Sequence, residues 1–317
     1  MERRAIVAKA AEAVIAERIE ERRFARSRVS LQLTGVAMMA PALLFLLAFV
    51  FVPMGYAVYL SLYQSTLYTP QPVFAGFANY AHLLAAPDFW QAASNTVWLA
   101  VGMMALSLPA ALLLAVLLNQ RIRGQAIFRT AIFGPYVIPL VSSGLIFSLL
   151  FSTDGGPVNL ALQRLGLAPV NWLGQGRTAL LSVLILTAWQ FTGYYAIIFL
   201  AGLQSVPTSL MEACQVDGGG RWQVFRHVTL RALGPSLFFA VVICLIQTFQ
   251  TFDQVYVMTG GGPDGATTTF AYYIFEKGFQ AFNIGESSAA SVILILVLAC
   301  LSYLQMRLGR RWVVEES

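Results

Sequence analysis

Residues 209–235 read SLMEACQVDGGGRWQVFRHVTLRALGP and lie between two long apolar segments. Helix–helix connections usually take only a few residues. One of 27 residues, with an ordered internal plan, has a task beyond joining. Ser209 and Glu212 stand three apart, the spacing of a capping box. That predicts a short helix from about Leu210 to Val216. Asp217-Gly218-Gly219-Gly220 then ends it, because consecutive glycines favour left-handed or open backbone. A second helical piece is expected near Arg221, carrying Trp222, Phe225 and Val228, and Gly234-Pro235 marks the entry to the next apolar segment. A helix of about seven residues is unstable alone in water, where about 12–15 are needed. It must pack on something, and the small residues Ala213, Cys214 and Gly218 would let another protein surface come close.

Outward from this loop the chain is strongly apolar. Of 317 residues, 58% are hydrophobic and 11% charged, and the mean hydropathy is +0.69. A soluble domain is nearer 45–50% apolar and about 25% charged, so the composition is that of an all-α integral membrane protein. Six apolar segments, near 33–62, 93–119, 130–152, 178–204, 236–259 and 287–306, are each long enough for the roughly 20 residues a bilayer needs. Helices suit segments of this length, and prolines such as Pro53, Pro109, Pro135 and Pro139 are tolerated inside them. The organisation read from this is a polar tail over 1–32, a six-span membrane domain over 33–306 containing the 205–235 loop, and a short tail over 307–317.

Positive charge sets the orientation. Six spans put both termini on one side. That side holds all of the 20 lysines and arginines except Arg164, Arg177 and Lys277. Both termini and the 205–235 loop are therefore expected in the cytosol. The outer loops differ in kind: 63–92 contains GFANYAHLLAAPDFW with no Lys or Arg, 153–177 opens on Asp154-Gly155-Gly156-Pro157, and 260–286 opens on Gly260-Gly261-Gly262-Pro263.

The chemistry-bearing residues exclude several classes. Neither lysine, Lys9 or Lys277, follows a glycine, so there is no phosphate-binding P-loop. The two histidines, His82 and His227, fall on opposite sides of the membrane and cannot share a metal or a nucleophile. Cys214, Cys244 and Cys300 form neither a disulfide framework nor a metal-ligand spacing. Neither an enzyme nor a nucleic-acid-binding protein is expected from these residues. Polar residues inside the spans mark a candidate solute path: Gln190, Tyr194 and Tyr195 in the fourth, Gln247, Gln250 and Asp253 in the fifth. Amides and rings together suit a polyhydroxylated ligand, although such groups also bond neighbouring helices. An ion-coupled carrier would be expected to show inverted repeats and midplane carboxylates.

The run Glu212-Ala213-Cys214-x-x-Asp217-Gly218-Gly219, followed by Phe225, Val228, Leu230 and Pro235, resembles the EAA loop of ABC importer permeases. GFANYAHLLAAPDFW and FQTFDQVYVMTGGGP resemble the carbohydrate-uptake, maltose-type permeases, including their glycerol-3-phosphate branch. The likeness covers about residues 33–310. Cys214 and Gly219 stand where that family has Ala, and Arg231 where it has Pro. The resemblance implies a type I ABC importer permease fold with a cytosolic coupling helix. Glu212, Ala213, Asp217 and Gly218 would meet a separate ATPase, with Arg221 and Trp222 at the margin. It further implies a second, similar permease, two ATPase subunits that bind the ATP and Mg, an external solute-binding protein, and the inner membrane of a prokaryote. The implied cargo is a sugar or oligosaccharide, with glycerol 3-phosphate or a glycerophosphodiester as the alternative.

Overall fold

The computed structural model describes residues 36–66, 68, 71–120 and 123–313, with side chains omitted at 308 and 310–313. The expected N-terminal tail and residues 314–317 lie outside the described residues. The chain divides into two units, residues 1–59 and 60–317. Helix α1, Val36–Ser61, supplies the described part of the first unit, with a π turn at Leu47–Phe51. Its mean hydropathy is 2.4. Leu44, Phe45, Phe49 and Val52 are exposed along it, as suits a surface solvated by lipid.

The second unit is helical apart from a two-stranded antiparallel ribbon, β1 (Tyr63–Gln64) and β2 (Val73–Phe74), in which Tyr63 faces Phe74. Helix α2 (Ala78–Ala85) leads to α3 (Pro87–Leu118). Then come α4 (Gln125–Val137), α5 (Leu140–Leu150), α6 (Pro157–Arg164) and α7 (Gly176–Gln204). The sequence-defined loop forms α8 (Thr208–Val216) and α9 (Arg221–Ala232). Helices α10 (Gly234–Phe249), α11 (Asp253–Met258), α12 (Phe270–Phe275) and α13 (Ile284–Val313) complete the chain.

Four helices, α1, α3, α7 and α13, are long and apolar enough to cross a membrane; the bent pairs α4–α5 and α9–α10 bring the number to six if each is one span. The pair α4–α5 bends by 94°. Pro139 has no amide hydrogen to donate and drives Ile138 to extended backbone (φ −71°, ψ 132°). The freed Ile138 carbonyl accepts a hydrogen bond from Gln190 Nε2 at 2.7 Å. The pair α9–α10 bends by 61°, with Gly234-Pro235 at its turn.

One expectation fails in the fifth segment. It was read as continuous over 236–259, but α10 stops at Phe249 and the helix resumes only at Asp253. The gap falls in the polar run QTFQTFDQ, residues 247–254, whose side chains the sequence reading assigned to a solute path and not to a helix break. One of its carbonyls finds a side-chain partner: Thr269 Oγ1 donates to the Thr251 carbonyl at 2.6 Å. Beyond the gap the chain is tied to α3. Asn95 Nδ2 donates to the Gly265 and Thr268 carbonyls, and Thr96 Oγ1 accepts from the Phe270 amide at 2.8 Å.

The main core joins α3, α7 and α10. Met103, Ala111 and Leu118 pack with Tyr195, Phe199, Leu203, Ala240 and Cys244. Small residues let helices approach closely. At Gly193 an added Cβ would overlap the Ile132 carbonyl of α4, and at Gly102 it would fall 2.7 Å from Leu184. A second cluster, Leu83, Phe89, Phe270, Tyr273 and Ala290, holds α2, α12 and α13 against the start of α3.

Candidate functional site

The loop 205–235 folds as two short helices in succession. Helix α8 begins at Thr208, after Pro207, and no side chain caps its N-terminus. The expected Ser209–Glu212 capping box does not form. Pro207 already fixes the entry backbone and Ser209 sits inside the first turn, where its side chain cannot act as the cap. The C-terminus follows the sequence reading and adds its geometry. The Gly219 amide donates to the Cys214 carbonyl, and the Gly218 amide to that of Gln215. With Gly218 at φ +84°, this is the Schellman closure of a helix. Three glycines follow Asp217, and their roles differ. Gly218 supplies the left-handed residue. Gly219 lies so close that a Cβ would stand 2.5 Å from the Cys214 carbonyl oxygen and 2.8 Å from its Sγ. Gly220 precedes α9, and its amide donates to Gln223 Oε1 at 2.6 Å.

Helix α8 rests on α9 yet buries none of its own residues. Glu212, Ala213, Asp217, Gly218 and Arg221 are all exposed. So are apolar side chains that water disfavours: Val216 at 87%, Trp222 at 68%, and Leu210. Trp222 stacks on Phe225 with ring centroids 5.8 Å apart. All six residues read from sequence as coupling contacts therefore lie on one exposed segment. Gln223, which fixes the start of α9, was not singled out; its three-residue spacing from Gly220 was the available signal.

The six candidate path residues do not form one cluster. Tyr195, fully buried, donates to Gln247 Oε1 at 2.8 Å and so ties α7 to α10. Tyr194 stacks on Tyr136 of α4, with centroids 4.6 Å apart. Gln190 is 2% exposed. Its amide nitrogen serves Ile138, and its buried Oε1 has no hydrogen-bond partner among the described residues. Gln250 stands exposed at the break after α10. Asp253 opens α11 and is partly buried. Tyr136, absent from the sequence reading, joins them through its ring; a tyrosine three residues before a proline carries no pattern that marks it.

Residues 107–314 match the family described as "Binding-protein-dependent transport system inner membrane component". The chain is 31% identical to the "Trehalose/maltose transport system permease protein MalF" of Thermococcus litoralis, over 87% of this chain and 93% of that protein. It is 33% identical to the "sn-glycerol-3-phosphate transport system permease protein UgpA" of Brucella abortus, over 85% of this chain and 92% of that protein. Among solved structures it resembles a chain of a bacterial alginate ABC transporter in complex with an alginate-pentasaccharide-bound periplasmic protein. The TM-score is 0.78 and the identity 23%, over 90% of this chain and 96% of that one. A family match over most of the apolar region, relatives above 30% identity along most of the chain, and a shared fold lead to one conclusion: this protein belongs to the binding-protein-dependent inner-membrane transport components, the permease subunits of ABC importers.

Proposed function

We propose that this chain is one half of the membrane pathway of an ATP-driven importer for a sugar or oligosaccharide. The observation that carries the reading is the exposed α8–α9 arm, closed by a left-handed glycine and presenting Val216 and Trp222 outward. Such an arm belongs in the cleft of a partner. In this reading the partner is an ATPase, which binds the ATP and Mg and supplies the energy. Glu212, Ala213, Asp217 and Gly218 make the contact, flanked by Arg221 and Trp222. Two such ATPases, a second permease of the same kind and an external solute-binding protein complete the importer. The span count is six, with each bent pair crossing once. Both termini and the α8–α9 arm lie in the cytosol of a prokaryotic cell.

The path reading rests on Gln250, Asp253, Tyr194 and the unpartnered oxygen of Gln190, with Tyr195 and Gln247 positioned behind them. Amides and rings bond and stack on a sugar, and the second permease supplies the other wall. A sugar is also named for the Thermococcus relative. The glycerol-3-phosphate named for the Brucella relative keeps that cargo as the alternative. A phosphate would call for cations, yet the four long apolar helices carry Lys or Arg only at their ends, as Arg177 and Arg307.

Copurification tests the assembly. The ATPase encoded with this permease is expected to copurify with the wild-type chain and to be lost with Gly218→Trp. Retention of both the ATPase and uptake in that variant overturns the reading. Calorimetry of the solute-binding protein against sugars and glycerophosphates decides the cargo.

A further inference from the structure

The Gly260–Gly265 loop is used neither by the coupling arm nor by the path. Its backbone is left-handed at Gly260, Gly261, Asp264 and Gly265. It is nevertheless firmly held. Gln91 Nε2 donates to the Asp264 carbonyl at 2.9 Å, Thr267 Oγ1 donates to the Gly262 carbonyl, and Asn95 secures Gly265. The loop forms one wall of a cavity of about 330 Å³. Asp88, Asp264 and Glu276 bring three carboxylates to its lining. They reach it from the start of α3, the loop and the end of α12.

Only one of these carboxylates is neutralised among the described residues. Asp88 Oδ2 pairs with Lys277 Nζ at 2.8 Å, and the same ammonium lies 5.2 Å from the centre of the Tyr273 ring. Burial alone would lower the Lys277 pKa, but the Asp88 contact together with the nearby charges of Glu286 and Glu276 outweighs it and holds it above the ordinary range. Asp264 and Glu276 have no ion-pair partner there. Tyr273 also lines the cavity, is 1% exposed, and its buried hydroxyl has no hydrogen-bond partner among the described residues. Burial, with Asp88, Glu286 and Glu276, raises its pKa, so it stays a neutral hydroxyl with a free lone pair.

A rigid cavity with two unbalanced negative charges and an idle hydroxyl calls for a cationic donor. The charge sign of the whole end agrees. By the topology above, the outer segments carry Lys or Arg only at Arg164, Arg177 and Lys277, the last already paired. We propose that this cavity is the socket into which the solute-binding protein inserts an arginine or lysine side chain when it docks. The ammonium or guanidinium meets Asp264 and Glu276, and its remaining N–H donates to the Tyr273 hydroxyl. The fixed loop means that little ordering is needed at docking, so the socket contributes specificity and rate of encounter.

This inference rests on the importer reading, and the experiment separates the two. The complete importer in nanodiscs is titrated with its solute-binding protein, purified with its sugar bound, at low and high salt. If the wild-type complex neither binds that protein nor is stimulated by it, the importer reading itself falls. If wild type responds, Glu276→Gln and Asp264→Asn, singly and together, test the socket. The double variant is expected to bind about 10-fold more weakly at low salt and to lose most of its salt dependence. Asn tolerates left-handed backbone, and Glu276→Gln alone decides the matter if the double variant fails to assemble with its ATPases. Tyr273→Phe removes no hydrogen bond found among the described residues; it is expected to leave thermal stability intact and weaken docking a few-fold. Glu276→Lys should be rescued by changing one basic residue of the binding protein to Glu. Unchanged affinity and salt dependence in both Glu276→Gln and the double variant overturn the socket, as does the absence of any rescuing partner residue.

Discussion

Gly218 offers the sharpest test of the coupling arm, because its role can be separated from its size. Its φ is +84°, and a Cβ built on it meets nothing within 4 Å. Inside this chain a side chain therefore costs conformation, not space. Left-handed backbone costs an L-residue about 1–2 kcal/mol, which lowers the population of the closed α8 terminus about 5- to 30-fold. The reporter is the Gly219 amide, whose bond to the Cys214 carbonyl, 2.9 Å long, exists only when the terminus is closed. Hydrogen exchange there is expected to be slowest in wild type, little faster in Gly218→Asn, faster in Gly218→Ala and fastest in Gly218→Val. Asn tolerates the left-handed region, while a β-branched residue is an outlier in it. ATPase stimulation by the loaded binding protein should follow the same order. If Asn exchanges as fast as Val, the handedness argument is wrong. If exchange follows the order and stimulation does not, α8 is not the coupling element.

Four other outcomes follow from the structure. Gly219→Ala should destabilise the arm by about 1 kcal/mol, and Cys214→Ala should recover part of the loss by removing the sulfur 2.8 Å from the new methyl; a double-mutant cycle on Gly219 amide exchange measures the recovery. Tyr195→Phe should cost about 0.6 kcal/mol of thermal stability, the typical value for a hydrogen bond between membrane helices, with uptake retained. Gln250→Ala should do the reverse, lowering uptake with stability intact, because Gln250 is exposed at a helix break. Gly193→Val should prevent the close crossing with α4, where the Ile132 carbonyl occupies the Cβ position, and lower the melting temperature by an overpacking cost of about 1–3 kcal/mol.

Much of the α8–α9 arm was legible in the sequence as local structure, because its signals are local. Asp217-Gly218-Gly219-Gly220 had to end a helix, and the structure ends α8 at Val216. The start was less legible: Ser209 and Glu212 had the right spacing, but Pro207 set the boundary two residues earlier. The long apolar segments were readable from hydropathy, and Pro139 was visible as a candidate kink. The break at 250–252 was not read, although the polar run 247–254 marks its place; the partner of its Thr251 carbonyl, Thr269, stands 18 residues away. The path residues were chosen for polarity alone, which does not reveal orientation. Tyr195 and Gln247 turned toward each other, whereas Gln250 turned outward. The acidic cavity lay furthest from sequence reading, since Asp88 meets Asp264 and Glu276 only after α3 and α12 have packed.

The gap in the fifth segment has a mechanical meaning. The outer piece, α11 with its loop, is riveted to α3 by Asn95 and Thr96. The inner piece, α10, is pinned to α7 by Tyr195 and Gln247. Residues 250–252 interrupt the helix between them, so the two pieces are held by different side-chain bonds. In the importer reading proposed above, a displacement of α9 would reach α10 first, and the helix break would separate α10 from α11. Helix α3 is the element both pieces share: α10 packs on it in the main core, and the segment beyond the gap is bonded to it through Asn95 and Thr96.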